Sequence, residues 1–171
     1  MRVTFHKISD DRHALEIERD DGRRERVECE TRSLLVHDLL HFAVESEARL
    51  EIGLWGTLAR GKTLAEMNDR SGQAMAAEGA DLAAVEQLVG ALHGSVKGRS
   101  AAEVVEGMRR FAAALGSSLP GWLTAPLVAA VQERMRRLLG RWRATPHGAG
   151  MVLEWRGASA NPRTTDRPGP R

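Results

Sequence analysis

The sequence predicts an α+β fold: an N-terminal three-stranded antiparallel meander packed by four or five helices, with a C-terminal β-hairpin. Three observations lead there. Short alternating runs bounded by turn residues occupy residues 3–29, and apolar residues at helical spacing follow as far as residue 139. Aromatic residues make up only 4% of the chain, so the core is built from Leu, Val and Ala, which favours helices over a large sandwich. At 171 residues, 42% hydrophobic and 28% charged, the chain suits one domain, placed at residues 1–156.

The elements follow in order. Residues 3–8 put Val3 and Phe5 on one strand face, and residues 13–19 put Leu15 and Ile17 there. Asp20-Asp21-Gly22 turns the chain into a third strand, residues 24–29, with Val27 and Cys29 inward. Ser33 is placed to cap a helix that runs to about residue 49 and is open to continuation past Gly53. Gly61 reads as a helix stop, and Thr63 with Glu66 as a capping box for a short helix. Residues 70–79 are polar, a loop or a frayed helix. Residues 81–97 carry Leu82, Val85, Leu88, Val89, Leu92 and Val96 at helical spacing.

Ser100 and Glu103 form a second capping box, opening a helix that ends before Gly116. Leu119-Pro120-Gly121 breaks the chain, and Thr124 caps a last helix with Leu127, Val128, Val131, Met135, Leu138 and Leu139 as its apolar set. Residues 141–144 and 151–156 read as the two arms of the C-terminal hairpin around TPHGAG. Residues 157–171, GASANPRTTDRPGPR, have no apolar anchor and are expected to form a disordered tail.

Net charge is only +2, which makes nucleic acid an unlikely partner. The charge is uneven: residues 132–171 hold nine Arg against three acids. Arg134, Arg137 and Arg141 share one helical face there and form a candidate surface for a protein or other acidic partner, or else a solvated face. The preponderance of Arg over Lys reads as a bacterial coding bias. One cysteine, Cys29, excludes an intramolecular disulfide and a Cys-rich zinc site, and its inward strand position suits an inert thiol. The N-terminal residues lack an apolar leader core and no apolar run reaches membrane-spanning length, so the expected location is the cytoplasm.

The segment SLLVHDLLHFAVESEARL, residues 33–50, carries the strongest chemical signal. At about 100° per residue its apolar side chains fill more than half the helix surface. His37, Asp38, His41, Glu45 and Arg49 fall in one narrow stripe. His37 and His41 stand one turn apart, about 6 Å along the axis, the spacing with which two imidazoles on a helix hold one metal ion. Glu45 extends the column. His13, on the sheet face that should receive this helix, is the first choice among the remaining histidines as a further ligand. Zinc is the expected ion, and Asp38 a candidate general base or partner of a ligand. An activated water would then serve hydrolysis or a lyase step. The competing reading is a solvent-facing ladder of His41, Glu45 and Arg49 at i, i+4 spacing, worth a few tenths of a kcal/mol per pair.

HDLLH resembles the HDxxH helix motif of the ubiquinone-biosynthesis accessory family, a largely helical group to which zinc binding is attributed. The resemblance implies roles for His37, Asp38 and His41; the Glu that the family places twelve residues after its second His is Gly53 here. More broadly, a hairpin followed by an HDLLHFAVE-type helix and a W-G-x-L-A-x-G-x-T-L segment is similar to a family of bacterial proteins of unassigned function, over about residues 1–70.

Residues 56–63, GTLARGKT, fit the phosphate-binding pattern G-x-x-x-x-G-K-[ST]. The pattern requires a buried strand before it and parallel strands after it, and residues 50–55 make a poor strand, with helical patterns dominating beyond. The segment is therefore read as helix, stop and cap. Trp55, Trp122, Trp142 and Trp155 read as packing residues.

Overall fold

The computed structural model describes residues 1–68, 79–93 and 98–157. Three strands open the chain: β1 (Arg2–Lys7), β2 (Arg12–Glu18) and β3 (Arg24–Glu30). They pair antiparallel in sequence order, as the alternation predicts. Val3, Phe5, Leu15 and Ile17 are buried on the inner face. The outer face is a lattice of ion pairs, with Arg2 and Arg24 on Glu18, His6 and Arg26 on Glu16, and Arg12 on Glu28. One dry face and one wet face is the usual state of such a sheet.

The exit from β3 differs from the expected Ser33 cap. Thr31–Leu35 forms one π-helical turn, and α1 (Val36–Ala48) continues from it with Leu35 at the cap position. A helix that extends backward into another helical turn leaves no first-turn amides for a side-chain cap to satisfy. Nor does α1 run past Gly53. It stops at Arg49, which takes the left-handed conformation at φ 53°, while the Leu50 N–H donates to Glu45 O at 2.9 Å.

Beyond it lie α2 (Leu54–Ala59), α3 (Leu64–Asn68), α4 (Gly79–His93), α5 (Ala101–Ala114) and α6 (Ala125–Ala144). Both capping boxes and the Thr124 cap form as expected. Residues 70–78, Val96 and the tail from 158 lie outside the described residues. Among the described residues no helix is long and apolar enough to cross a membrane.

The C-terminal hairpin is a correction. Residues 141–144 are helical, because Trp142 continues the buried series Val131, Met135, Leu138 at helical spacing. Only the second arm is a strand, β4 (Gly150–Glu154), and it pairs antiparallel with β1 to give the sheet order β3-β2-β1-β4.

Helix α1 packs against α2, α4 and α6, and every residue from Asp38 to Glu45 is buried. The ring edges of Phe5 and Phe42 meet Trp55 at 6.2 and 5.9 Å, and Phe42 meets Trp155 at 5.6 Å, joining sheet, α1 and α2 into one core. The buried Arg19 ties the α2–α3 segment to the sheet. It pairs with Glu25 and donates to the carbonyls of Leu58 and Lys62. Trp55 is fully buried and its indole N–H donates to Asp38 O at 3.1 Å. Trp55→Ala is expected to lower unfolding free energy by about 3–5 kcal/mol, measured by urea denaturation.

Candidate metal centre

The polar stripe of α1 is covered rather than solvated. His41 and Glu45 have side chains 1% and 0% exposed, because α4 packs over this face of α1. Buried polar groups at such positions require partners. The solvent ladder is thereby overturned for its two inner members, and Arg49 at its end caps the helix.

Each group has a defined place. His41 Nδ1 faces Glu45 Oε1 at 3.2 Å, and His41 Nε2 faces Glu86 Oε1 of α4 at 3.4 Å. Glu45 Oε2 accepts from the N–H of Trp55 at 3.0 Å and of Gly56 at 3.1 Å, both in the first turn of α2. His37 lies beside His41 with ring centroids 4.6 Å apart, and its Nδ1 faces Asp38 Oδ1 at 3.3 Å. His37, His41 and Glu86 each offer a ligand atom, and these atoms all lie within 4.8 Å of one another. The three form a group able to hold a metal ion.

Glu45, expected as a ligand, is not in that group. It stands behind His41, with its oxygens taken by the ring and two amides. His13 is not in it either. It is a core residue of β2, with its ring against Phe5 and edge-on to Trp142, and its Nδ1 faces Thr31 Oγ1 at 3.3 Å. Burial pushes its pKa down, against the pull of the Asp38 charge, so His13 is a neutral imidazole. Asp38 is paired with His37.

Glu86 was not singled out in the sequence. It is the only charged residue between Asp81 and His93, at the rim of the stripe formed by Leu82, Val85 and Val89. An isolated acid beside an apolar stripe was the one available signal.

The other singled-out residues lie outside that group. Arg134 pairs with Glu47 and joins α6 to α1, while Arg141 donates to Val152 O and joins α6 to β4. Arg137 pairs with Glu133 on the exposed face of α6. Residues 56–59 are helical, and the Gly56 N–H is committed to Glu45 rather than to a phosphate cradle. Burial pushes the Cys29 thiol up, as suits an inert residue.

Electrostatics fix the protonation state. Burial works against charge on His41, but hydrogen bonds to Glu45 and Glu86 outweigh it, and its pKa is pushed up to about 9. The same hydrogen bond to His41 holds Glu86 below the usual carboxylate range. Burial raises Glu45, opposed by His41 and the Gly56 and Trp55 amides. The Trp55 and Gly56 N–H groups are fixed donors and favour the carboxylate form.

No family model, no curated protein and no solved structure matches this chain. The reading of the site therefore stands on its own geometry.

Two outcomes are expected. With a folded pKa of about 9 against 6.5 for the free side chain, the His41 contribution to stability is fully present below about pH 6.5. It is lost as pH rises through about 9, and NMR titration of the His41 ring in metal-free protein should show that midpoint. Gly53 has φ 106°, and an added Cβ would lie 2.6 Å from the Glu45 carboxyl carbon. Gly53→Ala is expected to cost at least about 2 kcal/mol by chemical denaturation, through backbone strain and displacement of Glu45.

Proposed function

We propose that this protein binds a divalent transition metal, zinc first among them, through Nε2 of His37, Nε2 of His41 and the carboxylate of Glu86. The carrying observation is the convergence of two imidazoles from α1 and one carboxylate from α4 within 4.8 Å. The separation of His41 Nε2 from Glu86 Oε1, 3.4 Å, suits two neighbouring ligand atoms of a tetrahedral zinc site, which lie about 3.3 Å apart. The two side chains free to close the remaining distance are the more exposed ones, His37 at 43% and Glu86 at 37%.

Each imidazole also keeps a carboxylate at Nδ1, Asp38 for His37 and Glu45 for His41. That is the supporting arrangement of metal-bound histidines. The resemblance of HDLLH to the ubiquinone-biosynthesis accessory family belongs to this proposal, with His37 and His41 as ligands and Asp38 as the partner of His37. Gly53 has no room for the third donor of that motif, since Glu45 lies against it, and Glu86 takes the part from another helix.

Three protein donors would leave one position of a tetrahedral zinc ion for a bound water. The chemistry belonging to such a site is that of a metal-activated water. Without metal, a proton on His41 Nε2 bridges to Glu86, so metal and proton compete for the same atom.

Elemental analysis of protein purified without a histidine tag should find about one zinc per chain. His37→Ala combined with His41→Ala should abolish it, and Glu86→Ala should weaken zinc at least about tenfold in a competition titration. Metal-free protein whose melting temperature does not move on adding zinc would overturn the proposal.

A further inference from the structure

The Glu45 carboxylate is completely buried, yet it is not one of the groups whose ligand atoms converge at His37, His41 and Glu86. Its two oxygens divide between two structures. Oε1 faces His41 Nδ1, and Oε2 accepts two amides at the start of α2. Backbone amides are fixed donors and cannot reverse their role. The oxygen facing them is therefore always an acceptor, and the ionised carboxylate has only an acceptor left to offer His41.

We propose that Glu45 is a positioning residue: it fixes the proton of neutral His41 on Nδ1, so that the lone pair of Nε2 is delivered toward His37 and Glu86. The consequence for metal binding rests on the metal reading, whereas the proton's location stands without it. Gly53 completes the device, because any side chain there would occupy the place of the Glu45 carboxyl.

The charge-removing isostere separates this role from simple packing. In Glu45→Gln the amide oxygen must face the Trp55 and Gly56 amides, which leaves the NH2 group pointing at His41 Nδ1. Nδ1 must then accept, the ring proton moves to Nε2, and the lone pair turns away from the metal position. The volume hardly changes, so a purely structural residue would leave the tautomer as it was.

The test is imidazole 15N NMR on metal-free protein at about pH 10, with zinc competition titrations run beside it. Wild type should show the Nδ1–H form at His41 and Glu45→Gln the Nε2–H form, with zinc binding weakened about 10–100-fold. Glu86→Gln, which removes a direct ligand only, should lose zinc affinity while keeping the Nδ1–H form. An Nε2–H ring in wild type overturns the inference whether or not the variant folds. An unchanged tautomer in Glu45→Gln overturns it as well. A tautomer that shifts as described in a protein that binds no zinc sustains the positioning role and sinks the metal reading alone.

Discussion

The interaction on which the rest depends is the contact of one buried carboxylate with three donors from two helices. Glu45 meets His41 on its own helix and the amides of Trp55 and Gly56 in the first turn of α2 across the core. Taking a carboxylate out of water costs several kcal/mol, and the cost is offset only when its lone pairs are met by well-placed donors. That requirement sets the path of the chain after α1. Arg49 breaks the helix in the left-handed conformation, Gly53 passes close against the carboxylate, and α2 begins with its amides aimed back at it. Trp55 then fills the core between Phe5 and Phe42 while its indole holds the Asp38 carbonyl.

A second consequence concerns α1 as a whole. A helix with a polar stripe ordinarily turns that stripe to water. Here the sheet with α2, and α4 with α6, leave no wet side between Asp38 and Glu45, so the stripe becomes internal. His41 consequently sits between two carboxylates, an environment that rewards a cation at Nε2, whether a proton or a metal. His37, at the edge of the same stripe, keeps contact with solvent and gives the group its mouth.

Much of this was legible in the sequence, and the limits have physical reasons. Alternation placed Val3, Phe5, Leu15 and Ile17 on the buried face because strand periodicity is local. Thr63 with Glu66 and Ser100 with Glu103 were readable because a capping box lies within four residues. Helical spacing brought His37, Asp38, His41 and Glu45 to one stripe, but the division between groups that converge with Glu86 and groups behind them depends on what packs against that stripe. Glu86 comes from a helix more than forty residues on, so no local pattern marked it. The misread arm at residues 141–144 shows the opposite failure. Trp142 fits a strand or a helix over four residues, and only its register with Val131, Met135 and Leu138 decides the matter.

The sheet order carries a consequence for how the chain is made. β1 is an interior strand, yet one of its two neighbours is β4, and Arg2 meets Glu154 across 152 residues. A ribosome delivers the meander well before β4. Throughout that interval one side of β1 presents bare amides and carbonyls beside Val3 and Phe5, a template to which any nascent strand can anneal. Closing so long a loop is a slow, entropy-limited event compared with winding the helices between. A chain without β4 would therefore carry an unpaired sheet edge at β1.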